Sequence, residues 1–409
     1  MKRALIIAYY FPPVNNILST ISQEMALNMR KFGWEPFLIT TKSEGSLPVL
    51  IPEENILRIG FHCDSGKKLV SEEGARGIPK IIKIPYIISK KLGIEIASVD
   101  RFLFSWGREV LKNMDKIKKI NPDVIIATCY PPTGIWLGRL ISQRIKKPWV
   151  ADFRDPMSLY NPSKFPFVKF IDNTIDKILT KKASSIITVG PHLATAMEKF
   201  YKKPVSVIYN GFDGDKVGIL GQGLQKPGNK KIIYYAGRFH SHRLPAVRML
   251  IDWLSEKKDN DIVLKIRSTG PLESNEKILS YAREKGITSN VQLLDPVSSD
   301  VVSKEEKEAD ILVIFEDLGS LGFITMPGKL TEYLPYNAPI ILIARSDSDS
   351  GRVVKNASRG YVVSNSKELN DAMENILRGN APKPDLEAIR KYSFEEQAKV
   401  LCGLLDKIK

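Results

Sequence analysis

The sequence predicts an α/β protein built from two doubly wound parallel sheets, and three observations predict it. Short uncharged apolar runs, such as Ala4–Tyr10, Val124–Thr128 and Ile311–Phe315, read as strands buried on both faces. Stretches with helical spacing separate them. The alternation fills both halves of a 409-residue chain that is too long for one compact core.

In the first half the strand Ala4–Tyr10 leads into Ser19–Lys31, where Ile21, Met25, Leu27 and Met29 keep helical spacing until Gly33 stops it. Phe37–Thr40 is the next strand, and Val124–Thr128 precedes a helix near Ile135–Ile145. Trp149–Phe153, Ser185–Val189 and Val205–Ile208 continue the series. The second half repeats it: Lys231–Tyr235, a helix near Pro245–Glu256, Val263–Ile266, a helix near Glu276–Lys285, and Val291–Leu294. Ile311–Phe315, a helix at Gly328–Leu334, Ile340–Ala344 and Gly360–Val363 complete it. The domains are therefore expected at 1–210 and 211–390, with a Gly/Lys-rich hinge at Gly211–Lys230. Tyr392–Ile408 is helical by spacing and is expected to cross back to the first domain. Two such sheets facing each other would place a ligand cleft at the carboxyl ends of their strands.

Composition narrows the function. The net charge is +15, which points to an anionic partner. Residues 1–210 hold 32 basic and 18 acidic side chains, a net of +14, so nearly all the excess lies in the first half. Within it, residues 67–119 mix basic residues with apolar ones, as in Phe102-Leu103-Phe104-Ser105-Trp106. That stretch reads either as a helical insertion with a solvated basic face or as a surface for anionic lipid headgroups. No apolar run reaches membrane-spanning length. Lys2 and Arg3 before Ala4–Phe11 look like the start of a signal peptide, but Pro12-Pro13 cuts the run short and a buried strand explains it better. Three scattered cysteines fit a reducing cytoplasm, and no nucleic-acid recognition module accompanies the basic half.

Five segments carry a resemblance. They are Tyr9-Tyr10-Phe11-Pro12-Pro13, Asp152-Phe153-Arg154-Asp155-Pro156, Ile208-Tyr209-Asn210-Gly211-Phe212-Asp213, Tyr235-Ala236-Gly237-Arg238-Phe239, and Pro327-Gly328-Lys329-Leu330-Thr331-Glu332-Tyr333-Leu334. In this order and spacing the chain resembles the group 1 (family 4) glycosyltransferases of the GT-B fold. The resemblance implies two Rossmann-like domains facing across a cleft and a retaining, metal-independent transfer of sugar from a nucleotide sugar. It also implies an acceptor that is often lipid-linked, as in cell-surface polysaccharide or glycolipid assembly, and no cofactor. With the basic first half, it suggests a cytoplasmic enzyme peripheral on the inner face of the membrane.

The same resemblance implies a donor site of Gly237, Arg238, Arg243, Thr325, Met326, Gly328, Lys329 and Glu332. Pro327-Gly328-Lys329 opens a helix, whose first N–H groups suit a diphosphate. Glu332 suits the ribose hydroxyls, and Arg238 can clamp a phosphate bidentately. Arg243 either supplies a second cation or caps the following helix. The family usually presents two glutamates with seven residues between them; here the earlier position is Ile324. Asp152 and Asp155 at a strand's carboxyl end are candidate catalytic groups, or with Arg154 form an ion pair that fixes the loop. Asn15 and Asn16 replace the glycines that relatives carry after the first strand and are expected on the acceptor side, with Arg154. His240 and His242 lack a third metal ligand in their loop. Asp347-Ser348-Asp349 reads as a helix cap. A nucleotide-sugar epimerase of similar fold and a non-catalytic nucleotide-sugar-binding protein are the alternatives.

Overall fold

The computed structural model describes residues 1–61, 96–159, 165–219, 230–320 and 322–408. Residues 67–95 of the basic stretch and 220–229 of the hinge lie outside them. The strands are β1 (Lys2–Ile7), β2 (Trp34–Lys42), β3 (Ile56–Phe61), β4 (Val124–Thr128), β5 (Trp149–Phe153), β6 (Ser185–Thr188) and β7 (Val205–Val207). They continue with β8 (Lys231–Gly237), β9 (Ile262–Ser268), β10 (Val291–Leu294), β11 (Ile311–Phe315), β12 (Ile340–Ile343) and β13 (Gly360–Val363). The helices are α1 (Ile17–Met29), α2 (Trp106–Lys112), α3 (Met114–Ile120), α4 (Thr133–Ile145), α5 (Pro166–Thr180), α6 (Pro191–Tyr201) and α7 (Leu244–Lys257). After these come α8 (Leu272–Glu284), α9 (Ser299–Glu308), α10 (Gly328–Tyr333), α11 (Asp349–Asn356), α12 (Ser366–Leu377), α13 (Leu386–Arg390) and α14 (Phe394–Leu405).

The chain divides into two compact units, Met1–Asn210 with Phe394–Lys409, and Gly211–Ser393. The first holds a seven-stranded sheet of order β3-β2-β1-β4-β5-β6-β7, and the second a six-stranded sheet of order β10-β9-β8-β11-β12-β13. Every strand pair is parallel. In each sheet the strand order reverses once, between β1 and β4 and between β8 and β11. A crevice opens at the carboxyl ends of such a pair, because successive connections leave toward opposite faces.

In the first unit the sheet packs under α1 and α14. Ala398, Leu401, Cys402 and Leu405 of α14 share a core with Met25, Met29 and Trp34. Polar contacts pin its ends: Gln397 Oε1 accepts from Tyr209 N at 2.7 Å, and Asp406 pairs with Lys2 at 2.8 Å. On the other side α4 lies close to β4, where a Cβ on Gly134 would stand 2.1 Å from Thr128 O. Leu103, Phe104 and Trp106 of the aromatic–basic stretch are core residues, and the Trp106 ring lies edge-on to Tyr9 at 5.1 Å. Helix α1 begins at Ile17, earlier than the apolar spacing suggests, because Asn16 caps it. The second core is centred on Tyr235, Phe239, Phe315 and the inner faces of α7 and α12.

Candidate functional site

The second unit gathers its chemistry at the β8/β11 crevice. The two strands pair only through Ile233–Ile311 and Tyr234–Leu312 and then diverge. Tyr333 of α10 bridges the gap: its buried hydroxyl accepts from Ala236 N at 3.1 Å. Beyond Gly237 the loop turns over Phe239, which is fully buried. Gly270, after β9, permits that turn, since a Cβ there would stand 2.6 Å from Phe239 O and 2.7 Å from Phe239 N.

This loop presents two cations. Arg238 is exposed, and its guanidinium has no partner among the described residues. Arg243 Nη1 reaches back to Arg238 O at 3.4 Å and the guanidinium lies beside the Tyr235 hydroxyl, while its buried Nε has no hydrogen-bond partner among the described residues. Arg243 sits where the following helix begins but gives no side-chain cap to it. His240 and His242 stack at 5.5 Å. Burial first, and then Arg243 beside them, holds both below the ordinary histidine pKa. Among the described residues no three His, Cys, Asp or Glu side chains are grouped to hold a metal ion.

Beyond β11, α10 starts at Gly328 after an extended Pro327, and no described side chain caps it. Its first N–H groups therefore lack helical acceptors. Lys329 points elsewhere: its ammonium lies 2.9 Å from Glu306 Oε1 and 2.5 Å from Glu332 Oε2. Burial works against that charge, yet Glu332 and Glu306 together hold the lysine above its usual pKa. Sequence spacing pairs Lys329 with Glu332, but only the fold brings Glu306 to it. Glu332 is half-buried, as are Thr325 and Met326 just before the helix.

One residue here escaped the sequence reading. Glu316 follows β11 and is 1% exposed. Its Oε2 lies 2.8 Å from the hydroxyls of both Thr325 and Ser350, and its Oε1 has no partner among the described residues. Burial pushes its pKa up to about 7, against the Ser350 and Thr325 hydrogen bonds and the Arg243 charge. The position after an apolar strand was a usable signal, since ligands collect at carboxyl ends. Ile324, where the earlier glutamate of the resemblance would fall, ends a short turn next to Thr325. Ser348 caps α11 by accepting from Gly351 N at 3.0 Å, and Asp347 pairs with Arg345.

In the first unit Asp152 and Arg154 form a buried pair, Nε to Oδ1 at 3.0 Å. Arg154 also donates to Ile208 O at 3.2 Å and Asn210 Oδ1 at 3.3 Å, tying β5 to the residues after β7. Burial raises the Asp152 pKa and Arg154 opposes the rise. A cavity of about 30 Å³ beside the pair, lined also by Thr128, Met25 and Leu401, has room for a water or two, not for a sugar. Asp155 is exposed. Asn16 is extended at φ −146° and accepts from Leu18 N at 2.8 Å, so it serves the helix; Asn15 is exposed beside it. Neither adopts the left-handed conformation open to asparagine. The N-terminus of α4, in the β1/β4 crevice, is taken by Asp100, which accepts from Thr133 N at 2.7 Å and Thr133 Oγ1 at 2.6 Å.

No protein-family model matches the sequence, and no curated protein does either. Solved structures match over the whole length. A glycosyltransferase from Rickettsia africae ESF-5 is 16% identical, with TM-score 0.66 over 100% of this chain and 98% of that one. Anabaena HepE in complex with UDP is 14% identical, with TM-score 0.62 over 99% and 100%. A putative UDP-N-acetylglucosamine 2-epimerase from Listeria monocytogenes is 12% identical, with TM-score 0.55 over 99% and 96%. The likeness, with two parallel sheets of seven and six strands, shows the GT-B fold.

Proposed function

We propose that the chain is a glycosyltransferase that moves a sugar from a nucleotide-sugar donor to a lipid-linked or saccharide acceptor. The transfer is retaining and independent of a metal, and it serves cell-surface polysaccharide or glycolipid assembly. The protein works in the cytoplasm, peripheral on the membrane through its basic first half. One observation carries the reading. Arg238 and Arg243 follow β8, the first without a partner among the described residues and the second with a buried Nε that has none there, and the uncapped start of α10 follows β11, the strand beside it. That combination suits a diphosphate. Glu332 takes the ribose hydroxyls, while Gly237, Thr325, Met326 and Gly328 shape the approach. Lys329 orients Glu332.

In this reading the anomeric carbon–phosphate oxygen bond breaks as the acceptor oxygen bonds the same carbon. The acceptor's proton passes to the leaving phosphate, whose charge the two arginines stabilise. In the first unit Asp155, exposed at the carboxyl end of β5, lies on the acceptor side with Asn15. Asp152 and Arg154 position that loop, and Asn16 positions α1.

Thermal-shift titration with UDP-, GDP-, ADP- and CDP-sugars tests the donor site. At least one should raise the melting temperature of wild type and not of Arg238→Ala or Glu332→Ala. No shift with any of them would end the reading. The likeness to the Listeria epimerase favours a second reading, isomerisation of a nucleotide sugar. Conversion of UDP-N-acetylglucosamine to its 2-epimer by purified protein without acceptor would establish it instead.

A further inference from the structure

Helix α5 is built inside out. Its two acidic residues, Asp172 and Asp176, are fully buried, while Leu179 is the one large apolar residue buried with them and three others face solvent: Phe167 is 73% exposed, Phe170 68% and Ile178 53%. At 100° per residue Phe167, Phe170, Thr174 and Ile178 fall on one stripe, and the two aspartates fall opposite. The inward carboxylates have dedicated partners. Asp172 accepts from Ala97 N at 2.9 Å and Ser98 N at 2.8 Å; Asp176 accepts from Ser158 Oγ at 2.7 Å and Tyr201 Oη at 2.9 Å. These bonds fix the helix rotation, so the phenylalanines cannot turn inward without leaving two buried carboxylates unsatisfied.

The charge on the outward side has one sign. Lys177, which also lies over the Phe200 ring at 4.5 Å, and Lys181 and Lys182 just past the helix are exposed, and residues 165–182 contain no acidic side chain apart from the two buried aspartates. Lys203 holds the end of the helix by donating to Lys181 O at 2.6 Å and Ala183 O at 2.8 Å. Exposed aromatic side chains among lysines, on a helix whose acids are turned away, match the interface of an anionic bilayer: rings at the acyl boundary, ammonium groups at the headgroups.

We propose that this outward face of α5 is the surface that docks the protein on an anionic membrane. The inference rests on the membrane part of the proposed function and names the side chains responsible. It assigns docking to described residues of α5, where the aromatic residues 104 and 106 of the basic stretch are buried in the core.

Flotation with vesicles of phosphatidylcholine alone, and of equal parts phosphatidylcholine and phosphatidylglycerol, tests it. Wild type should float with the anionic vesicles and sediment with the neutral ones. Phe167→Ser/Phe170→Ser should lose flotation, and each of Lys177→Ser and Lys181→Ser should lower the partition coefficient about fivefold at low salt. The exposed positions leave folding intact, which a melting curve checks. Flotation of wild type and double variant alike would overturn the inference and leave membrane association standing. No flotation of wild type would overturn both. A dimer that dissolves in Phe167→Ser/Phe170→Ser, seen by sedimentation without lipid, would make the face an interface between copies and overturn the proposal as well.

Discussion

The Tyr333 hydroxyl accepts a 3.1 Å hydrogen bond from the Ala236 amide at the point where β8 and β11 part. A side chain of α10 thereby completes the backbone hydrogen bonding of a central strand. The bond also joins the two walls of the candidate donor site. In Tyr333→Phe the ring still fits, but the buried amide loses its acceptor. Leaving such a group unsatisfied costs about 1–3 kcal/mol. Urea unfolding should show a loss of that size, and nucleotide-sugar binding should weaken because β8 and α10 are no longer registered. Unchanged stability would mean that the bond carries no weight.

Lys329 and Glu306 make a second test within the same unit. Glu306 is 2% exposed, and burial raises its pKa while Lys329 opposes the rise. Lys329→Met removes the compensating charge, and breaking a buried pair on one side costs about 3–5 kcal/mol. The uncompensated glutamate would rise further in pKa, so this variant should lose more stability as pH increases. Adding Glu306→Gln should recover most of the loss. Nucleotide affinity that falls in the single variant and returns in the double would mean that Lys329 acts by neutralising Glu306 and neither holds the diphosphate nor positions Glu332; affinity that stays low in both would mean that Lys329 positions Glu332.

Glu316 gives a pH dependence with a defined sign. Its folded pKa, about 7, lies above the ordinary 4.5. Between those values the folded state holds more protons than the unfolded one, so this group's contribution is present at low pH and is lost as pH rises toward 7. Glu316→Gln removes that loss. The stability of the variant relative to wild type should therefore improve between pH 5 and 8, by up to about 3 kcal/mol. Asp176, pushed up to about 6 by burial, acts in the same direction in both proteins and cancels in the difference. A pH-independent difference would place the Glu316 carboxyl in its ordinary range.

What could be read in advance follows from where the information sits in the chain. Buried central strands such as β11 need an uncharged apolar run, and that run is local, so the sequence and structure agree there from Ile311 to Phe315. Edge strand β3 lacks it because Arg58 and Gly60 interrupt the pattern. Helix α9 was hidden for a related reason: it is polar nearly throughout, and its one buried residue is Glu306. Helix α5 inverts the usual sign of amphipathicity, so its pattern points to the wrong face. The site divides the same way. Arg238, Gly328 and Glu332 belong to local motifs and were legible, whereas Glu316 gains its environment from Thr325 and Ser350, 9 and 34 residues away.

Asp152 and Asp155 close the same loop, the first in a buried ion pair and the second exposed although its surroundings also raise its pKa, so substitution separates positioning from chemistry. Arg154→Met would leave Asp152 buried with only Thr128 at 3.5 Å to support it. That loss should cost about 3–5 kcal/mol and grow with pH as the stranded carboxyl resists ionisation. Asp152→Asn should cost less, because Arg154 keeps Ile208 O and Asn210 Oδ1 as acceptors. Asp155→Asn, at an exposed position, should change stability by no more than about 0.5 kcal/mol. If Asp155 faces the reacting sugar, its variant alone should lose turnover while folding and donor affinity stay at wild-type levels. If Asp152→Asn loses turnover at unchanged stability instead, the buried aspartate has a role beyond the pair, and the assignment of the two residues reverses.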